Sequence, residues 1–282
     1  MQYVMFSKHL QEWPLDKAAA VVKSMGFDGI DFTVRSGGYV LPENVAKDLK
    51  PAIRTIQDAG LCVPMFTTGI VDIATDNSEA VIAGAAEVGT KELKLGYHTY
   101  RQFGEFRAAM DDCKAKLEGI AAAASKYGVR CNLHIHSANF VTANPAVVWW
   151  LLEGTDPAAL GAYIDPGHMH IEGGKDVWRQ GMELLGPRTN LMAVKSMGWY
   201  YDADGSRTGL WRDRMVPLYR GMVDWVKVWQ CLAQIGFDGV VSLHSEYQGG
   251  HSWRDLTVQE LVDQTREDFA WLKACRERAL AG

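Results

Sequence analysis

A chain of 282 residues with 48% hydrophobic content can bury a large core, and barrels of roughly 250 residues commonly form one domain, so one domain over 1–282 is expected. The formal net charge of −5 comes without a basic stripe, which excludes a nucleic-acid surface as the main partner. No run approaches the ~18 apolar residues of a membrane span, and the five scattered cysteines (Cys62, Cys113, Cys131, Cys231, Cys275) include no C-x-x-C pair, so a membrane partner and a disulfide framework are excluded and a reducing, cytoplasmic setting is expected.

Tyr3 to Ser7 reads as a short buried strand. Pro14 opens a helix through Met25 that stops at Gly26, and Gly29 to Val34 is the second strand. A helix from Pro42 or Glu43 to Ala59 ends at Gly60, and Leu61 to Thr68 follows as the third strand. Ser78 caps a helix to Val88, before a fourth strand over Glu92 to Tyr97. An alanine-rich helix from Phe103 to Tyr127 leads to the fifth strand, Arg130 to Ser137, and then a helix over Pro145 to Glu153. The sixth strand is Ala162 to Asp165, with a helix over Asp176 to Leu185, and the seventh is Asn190 to Ser196. Val223 to Ile235 is helical, Gly239 to Tyr247 is the eighth strand, and Val258 to Arg278 closes the chain.

Eight strands thus alternate with eight helices. The phrase Met25-Gly26-Phe27-Asp28-Gly29-Ile30-Asp31 recurs as Ile235-Gly236-Phe237-Asp238-Gly239-Val240-Val241, which points to one repeated βα module. Parallel strands need helical crossovers, and eight such units close into a (β/α)8 barrel. An open doubly wound sheet usually carries a G-x-G-x-x-G turn after strand one, and none is present. Two long loops, Arg35 to Pro42 and Met197 to Gly221, fall after strands and therefore at the catalytic mouth. Residues 198–214 are expected to form a lid in which Trp199 and Trp211 contact substrate.

Three strands end in ionisable groups: His134 and His136 on the fifth, Asp165 on the sixth, His244 and Glu246 on the eighth. Residues two apart on a strand share a face, so each pair points into the barrel if Leu133 and Ile135 pack outward. A carboxylate ending an apolar strand costs several kcal/mol to desolvate unless it is paired or bound to a cation. Imidazole and carboxylate together suit zinc, manganese or iron, so His134, Asp165 and His244 are candidate metal ligands, though hydrogen-bonded core histidines are the ordinary alternative. Glu246, nearer the mouth, is a candidate general base or an ion-pair partner of Lys195 or Arg35. Lys195 ends the apolar seventh strand and is a candidate fixed cation, or else snorkels to solvent. His168 is a candidate substrate contact.

The phrases Gly26-Phe27-Asp28-Gly29-Ile30-Asp31, Asp165-Pro166-Gly167-His168, Ala193-Val194-Lys195 and Gly236-Phe237-Asp238-Gly239, in this order, give the chain a resemblance along its length to the sugar phosphate isomerase/epimerase family with the xylose isomerase-like TIM barrel. That resemblance implies a divalent ion (Mn, Mg, Zn or Co) held by Glu on strand five, Asp on strand six, His or Gln on strand seven and Glu on strand eight. Here those positions are His134, Asp165, Ala193 and His244, so one of the four ligands is kept in kind. His168 matches a histidine that touches substrate in the epimerases. In that family the two ligand glutamates also move the proton, a task that would pass here to Glu246, His136 or Lys195.

The expected activity is isomerisation or epimerisation of a small-molecule sugar or keto-sugar, with Glu246 as base and substrate contacts from Arg35, His168, Trp199 and Trp211. A keto-sugar lyase or dehydratase on the same site, and a sugar-binding barrel without catalysis, are the rival expectations. Homo-oligomerisation is left open.

Overall fold

Eight parallel strands close into a barrel in the order β1-β10-β7-β6-β5-β4-β3-β2. The computed structural model describes residues 1–75, 77–202 and 210–281. The barrel strands are β1 (Gln2–Phe6), β2 (Gly29–Val34), β3 (Cys62–Thr68), β4 (Glu92–Lys94), β5 (Arg130–His134), β6 (Leu160–Ile164), β7 (Thr189–Val194) and β10 (Val240–Leu243). Around them run α1 (Leu15–Ser24), α2 (Val45–Asp58), α3 (Ser78–Glu87), α4 (Phe106–Tyr127), α5 (Pro145–Leu152), α6 (Pro166–Gly173), α7 (Val177–Leu185), α8 (Trp225–Gln234) and α9 (Val258–Ala281). None of these helices is both long and apolar enough to cross a membrane.

Strand alternation sorts the core into two layers. Leu133, Ile135, Ile164, Met192, Val194, Val241 and Leu243 point outward into the helix-facing core. Val4, Met65, Tyr163, Leu191, Ala193 and Val240 form a separate cluster that fills the barrel. The helices cover the outer layer with one apolar face each; in α2 it is Val45, Leu49, Ile53 and Ile56. The repeated glycine phrase has a structural cause. Gly26 and Gly236 stop their helices in the left-handed region, at φ +86 and +67. Gly239 brings β10 so close to β7 that a Cβ there would sit 1.9 Å from the Asn190 carbonyl oxygen.

Several boundaries differ from the sequence expectation, and each difference bears on the site. The fifth strand ends at His134 and the eighth at Leu243, so His136 and Glu246 lie just beyond the ladder. After Leu243 the backbone turns tightly, with Glu246 N–H donating to the His244 carbonyl at 3.0 Å and Tyr247 N–H to that of Ser245 at 2.9 Å. The sixth strand runs directly into α6, a helix absent from the sequence reading. Asp165 is its N-cap, accepting from His168 N–H at 3.1 Å, and Pro166 follows at the first helical position.

The long stretch after β7 is partly a hairpin of β8 (Ser196–Asp202) and β9 (Leu210–Val216). Its base packs Met197 and Met215 onto Ile171 of α6. Residues 203–209, the middle of the expected lid, lie outside the described residues.

Candidate active site

At the C-terminal end of the strands, Lys195 stands between two carboxylates. Its Nζ lies 3.2 Å from Asp165 Oδ2 and donates to Glu246 Oε1 at 2.9 Å. Lys195, Asp165 and His134 are all buried, which in this setting strengthens every charge interaction. Burial alone would push the lysine down, but the two carboxylates outweigh it and hold Lys195 above its ordinary value. Burial likewise acts to raise Asp165 and Glu246, and the Lys195 ammonium overrides it in both. The trio is therefore a cation flanked by two anions at neutral pH.

Burial keeps His134, His136 and His168 neutral, and their partners place their protons. Burial pushes the Tyr97 phenol well above its ordinary range, so Tyr97 keeps its proton and donates it to His134 Nδ1 at 2.8 Å. Burial also drives His134 well down, so the ring carries one N–H, on Nε2, which faces Asp165 Oδ2 at 3.3 Å. The ring stacks on Tyr163 with centroids 4.3 Å apart. Tyr163, raised in the same way, keeps its proton and pairs with His244 Nε2 at 2.9 Å. His244 Nδ1 then faces Glu246 Oε1 at 3.7 Å. Below it Asp31 accepts from Thr67 Oγ1 at 2.7 Å and Ser242 Oγ at 2.8 Å. His136 Nδ1 donates to the Ser137 carbonyl at 2.9 Å, which leaves the lone pair on its Nε2.

A cavity of about 90 Å³ opens over this cluster. Phe6, Tyr97, His134, His136, Tyr163, Lys195, His244 and Glu246 line it together with Lys8, Arg35, Thr67 and Lys94. It is smaller than the roughly 300 Å³ of ordinary ligand pockets, so it admits only a small group. A larger concavity of about 660 Å³ sits at the opposite end, over the strand starts at Gln2, Cys62, Glu92 and Asn190. Barrel enzymes place chemistry at the C-terminal end, and the charged trio is there, so the smaller cavity is the candidate site.

The structure thus brings Glu246, Lys195, His136, His134, Asp165, His244 and Arg35 into one mouth. His168 stands behind it. Its ring lies 3.7 Å from that of His136, its Nδ1 pairs with Ser137 Oγ at 2.6 Å, and among the described residues its buried Nε2 has no hydrogen-bond partner. Trp199 and Trp211 are on the hairpin, 42% and 65% exposed, and do not line the cavity. Lys94, Tyr97, Tyr163, Asp31 and His9 were not singled out from the sequence. Lys94 and Asp31 carried a usable signal, a charged residue alternating with apolar ones on a buried strand. The tyrosines carried none, because a buried tyrosine reads as core.

The donor set does not fit the divalent ion that the family resemblance implies. His134, expected as a ligand, has both ring nitrogens engaged, by Tyr97 and Asp165. His244 Nε2 is taken up by the Tyr163 hydroxyl at 2.9 Å. Asp165, the third expected ligand, faces the Lys195 ammonium, which a dication at the same oxygen would confront directly. Among the described residues no three His, Cys, Asp or Glu side chains are arranged to hold a metal ion.

Neutral buried histidines make stability fall in acid. Burial pushes His9 down to about 3 and His136 to about 4, whereas an unfolded imidazole takes its proton near pH 6.5. Between those values the unfolded chain binds more protons, so stability is lost as pH falls below about 6.5. His136 alone accounts for about 3 kcal/mol of that loss by pH 4. Asp165 and Glu246, held low, lose their contribution in the same direction as pH falls through the carboxylate range. Asp268 opposes the trend, since burial raises it to about 6 and its protonated form favours the fold in mild acid. Urea unfolding should give a free energy that drops steadily from about pH 7 to about pH 4.5; a maximum near pH 5 would show that these imidazoles are not buried neutral.

Comparison with known proteins agrees with this architecture. A search of curated protein sequences finds no match. Among solved structures, D-psicose 3-epimerase in the presence of D-fructose superposes with a TM-score of 0.73 at 16% identity, covering 98% of this chain and 99% of that one. The probable 3-DHS dehydratase AsbF of Bacillus anthracis gives 0.70 at 17% identity, covering 96% and 99%. A xylose isomerase-like TIM barrel protein from Mycobacterium smegmatis in complex with magnesium gives 0.65 at 14% identity, covering 98% and 97%. At these identities the likeness is one of fold. A family model described as the xylose isomerase-like TIM barrel matches residues 19–275, and the chain belongs to that family.

Proposed function

We propose that this barrel isomerises or epimerises a small keto-sugar through an enediolate, with the Lys195 ammonium in the place of a metal ion. The observation that carries the reading is Lys195 Nζ held between Asp165 and Glu246 in the wall of the mouth cavity. Proton abstraction beside a carbonyl needs a base at the carbon and positive charge at the oxygen. Glu246 takes the carbon-bound proton and Lys195 faces the oxygen on which charge develops. In the resting site Lys195 holds Glu246 well below the usual carboxylate range, which makes it a weak base. As Lys195 turns its hydrogen bond to the forming oxyanion, that restraint is relieved and Glu246 gains basicity where the reaction needs it. Asp165 keeps the ammonium in place throughout. In an isomerisation, where a hydroxyl proton must move between the two oxygens, His136 Nε2 accepts it with its free lone pair. β5 and β10 are three steps apart round the barrel, so His136 and Glu246 work from different walls. The solved structures of similar fold, among them a sugar 3-epimerase, add support from fold alone.

Deuterium wash-in tests the reading directly. In D2O, with dihydroxyacetone, D-fructose and D-psicose as trial substrates, NMR should show exchange at the carbon beside the carbonyl, unaffected by prior dialysis against EDTA. Release of water in place of exchange would establish a lyase. Activity that vanished with EDTA and returned with a divalent ion would overturn the role given to Lys195.

A further inference from the structure

Three cations at the mouth lack the anionic partners that Lys195 has. Lys94, Arg35 and Lys8 line the same cavity, and among the described residues none has a carboxylate oxygen within 4.0 Å. They descend in depth on one side of the barrel, from Lys8 after β1, exposed at the rim, through half-buried Arg35 after β2, to Lys94 at the end of β4. Lys94 is only 3% exposed, and its Nζ sits 3.6 Å from the centre of the Tyr97 ring. The guanidinium carbon of Arg35 lies 5.7 Å from the Phe6 ring. An aromatic face offsets only part of what an ammonium loses on leaving water, and a second cation nearby makes matters worse. Burial first and the Arg35 charge second push Lys94 well below its ordinary value. Glu246, which Lys195 already occupies, and Asp31 beneath the cavity offset part of this charge, but the three cations leave a surplus, and a surplus in a low-dielectric pocket concentrates anions even in a chain of net charge −5.

We propose that Lys94, Arg35 and Lys8 form an oxyanion-binding subsite that holds a carboxylate or phosphate of the substrate against the β1–β4 wall, while its carbonyl oxygen faces Lys195. The proposal rests on the enolisation reading and narrows it to an anionic substrate, a sugar acid or a sugar phosphate. Arg35 supplies the two-pronged fork that matches a carboxylate or phosphate edge, and Lys94 supplies a buried point charge beneath it. The opposite wall, with Lys195 matched by Asp165 and Glu246, is left to the reacting carbons.

Calorimetric titration with malonate, inorganic phosphate and erythritol at fixed ionic strength tests the subsite without turnover. At least one anion should bind saturably and more tightly than erythritol, malonate marking a sugar acid and phosphate a phosphate ester. Lys94→Met and Arg35→Gln should each weaken that binding at least about tenfold, the loss of one charged hydrogen bond. Arg35→Gln, at a half-buried position, keeps the test decisive if Lys94→Met fails to fold. Anions binding no better than erythritol, or Arg35→Gln binding them as the parent does, would overturn the subsite. Deuterium exchange into D-fructose, which has no anionic group, separates the two readings. Exchange without anion binding removes the subsite alone, whereas anion binding without exchange into D-fructose, D-fructose 6-phosphate or a keto-sugar acid removes the reaction.

Discussion

Replacing Lys195 with methionine should abolish measurable turnover and also weaken the fold. Removing one preorganised donor from a developing oxyanion typically costs 10²–10³-fold in rate, and a full charge in a buried site stands at the upper end. The structural loss has a separate origin. Asp165 is fully buried and Glu246 nearly so, and without the ammonium neither has a cation to offset its desolvation. Breaking a buried pair in this way costs about 3–5 kcal/mol. The pH dependence identifies the cause. In the parent, Lys195 holds both carboxylates below their ordinary values, so acid takes stability away. In the variant the largest influence opposing burial is gone from both, with the His168 N–H bond to Asp165 and the weaker His244 contact to Glu246 left, so both rise and acid takes less stability away. The Lys195 charge also helps to hold His134, His136 and His168 low, so in the variant these imidazoles rise and acid takes less stability away through them too. Urea unfolding of parent and variant should therefore show a gap that narrows from about pH 7 to about pH 4.5. A gap that stayed constant would mean that methionine simply packs badly.

Glu246→Gln should leave folding intact and cut exchange into the substrate by about 10²–10⁴-fold, the usual worth of a general base. The amide keeps an oxygen that accepts from Lys195, and Asp165 keeps the ammonium's second contact at 3.2 Å. What disappears is the capacity to take a proton. The loss should appear in kcat, with little change in KM, because glutamine fills the same space against the cavity. Near-full activity in Glu246→Gln alongside none in Lys195→Met would move the base elsewhere, first to His136, whose Nε2 lone pair faces the same mouth.

Fold class and most of the charged residues that meet at the mouth are legible in the linear chain because they depend on local periodicity. Apolar runs ended by Gly26, Gly60, Gly89, Gly128 and Gly236 mark where helices stop, and eight alternations leave a closed barrel as the compact solution. Asp165, Lys195 and Glu246 stood out by themselves, since a charge at the end of a buried strand needs a partner. Which partner each one takes is a property of the closed barrel. Asp165 and Lys195 are brought together by the β6–β7 neighbourhood, and Lys195 meets Glu246 by that of β7 and β10. The ligand candidates His134, Asp165 and His244 are, once the barrel closes, already engaged by Tyr97, Tyr163 and an ammonium. The helix α6 was readable in Asp165-Pro166, an N-cap followed by proline. Lys94 could be recognised as unpartnered only in three dimensions, because having no counter-charge depends on every element that faces it across the mouth. Local sequence determines which groups are charged and which strand ends carry them; barrel closure determines which of them meet, because hydrogen bonds and ion pairs form between strands that are far apart in the chain.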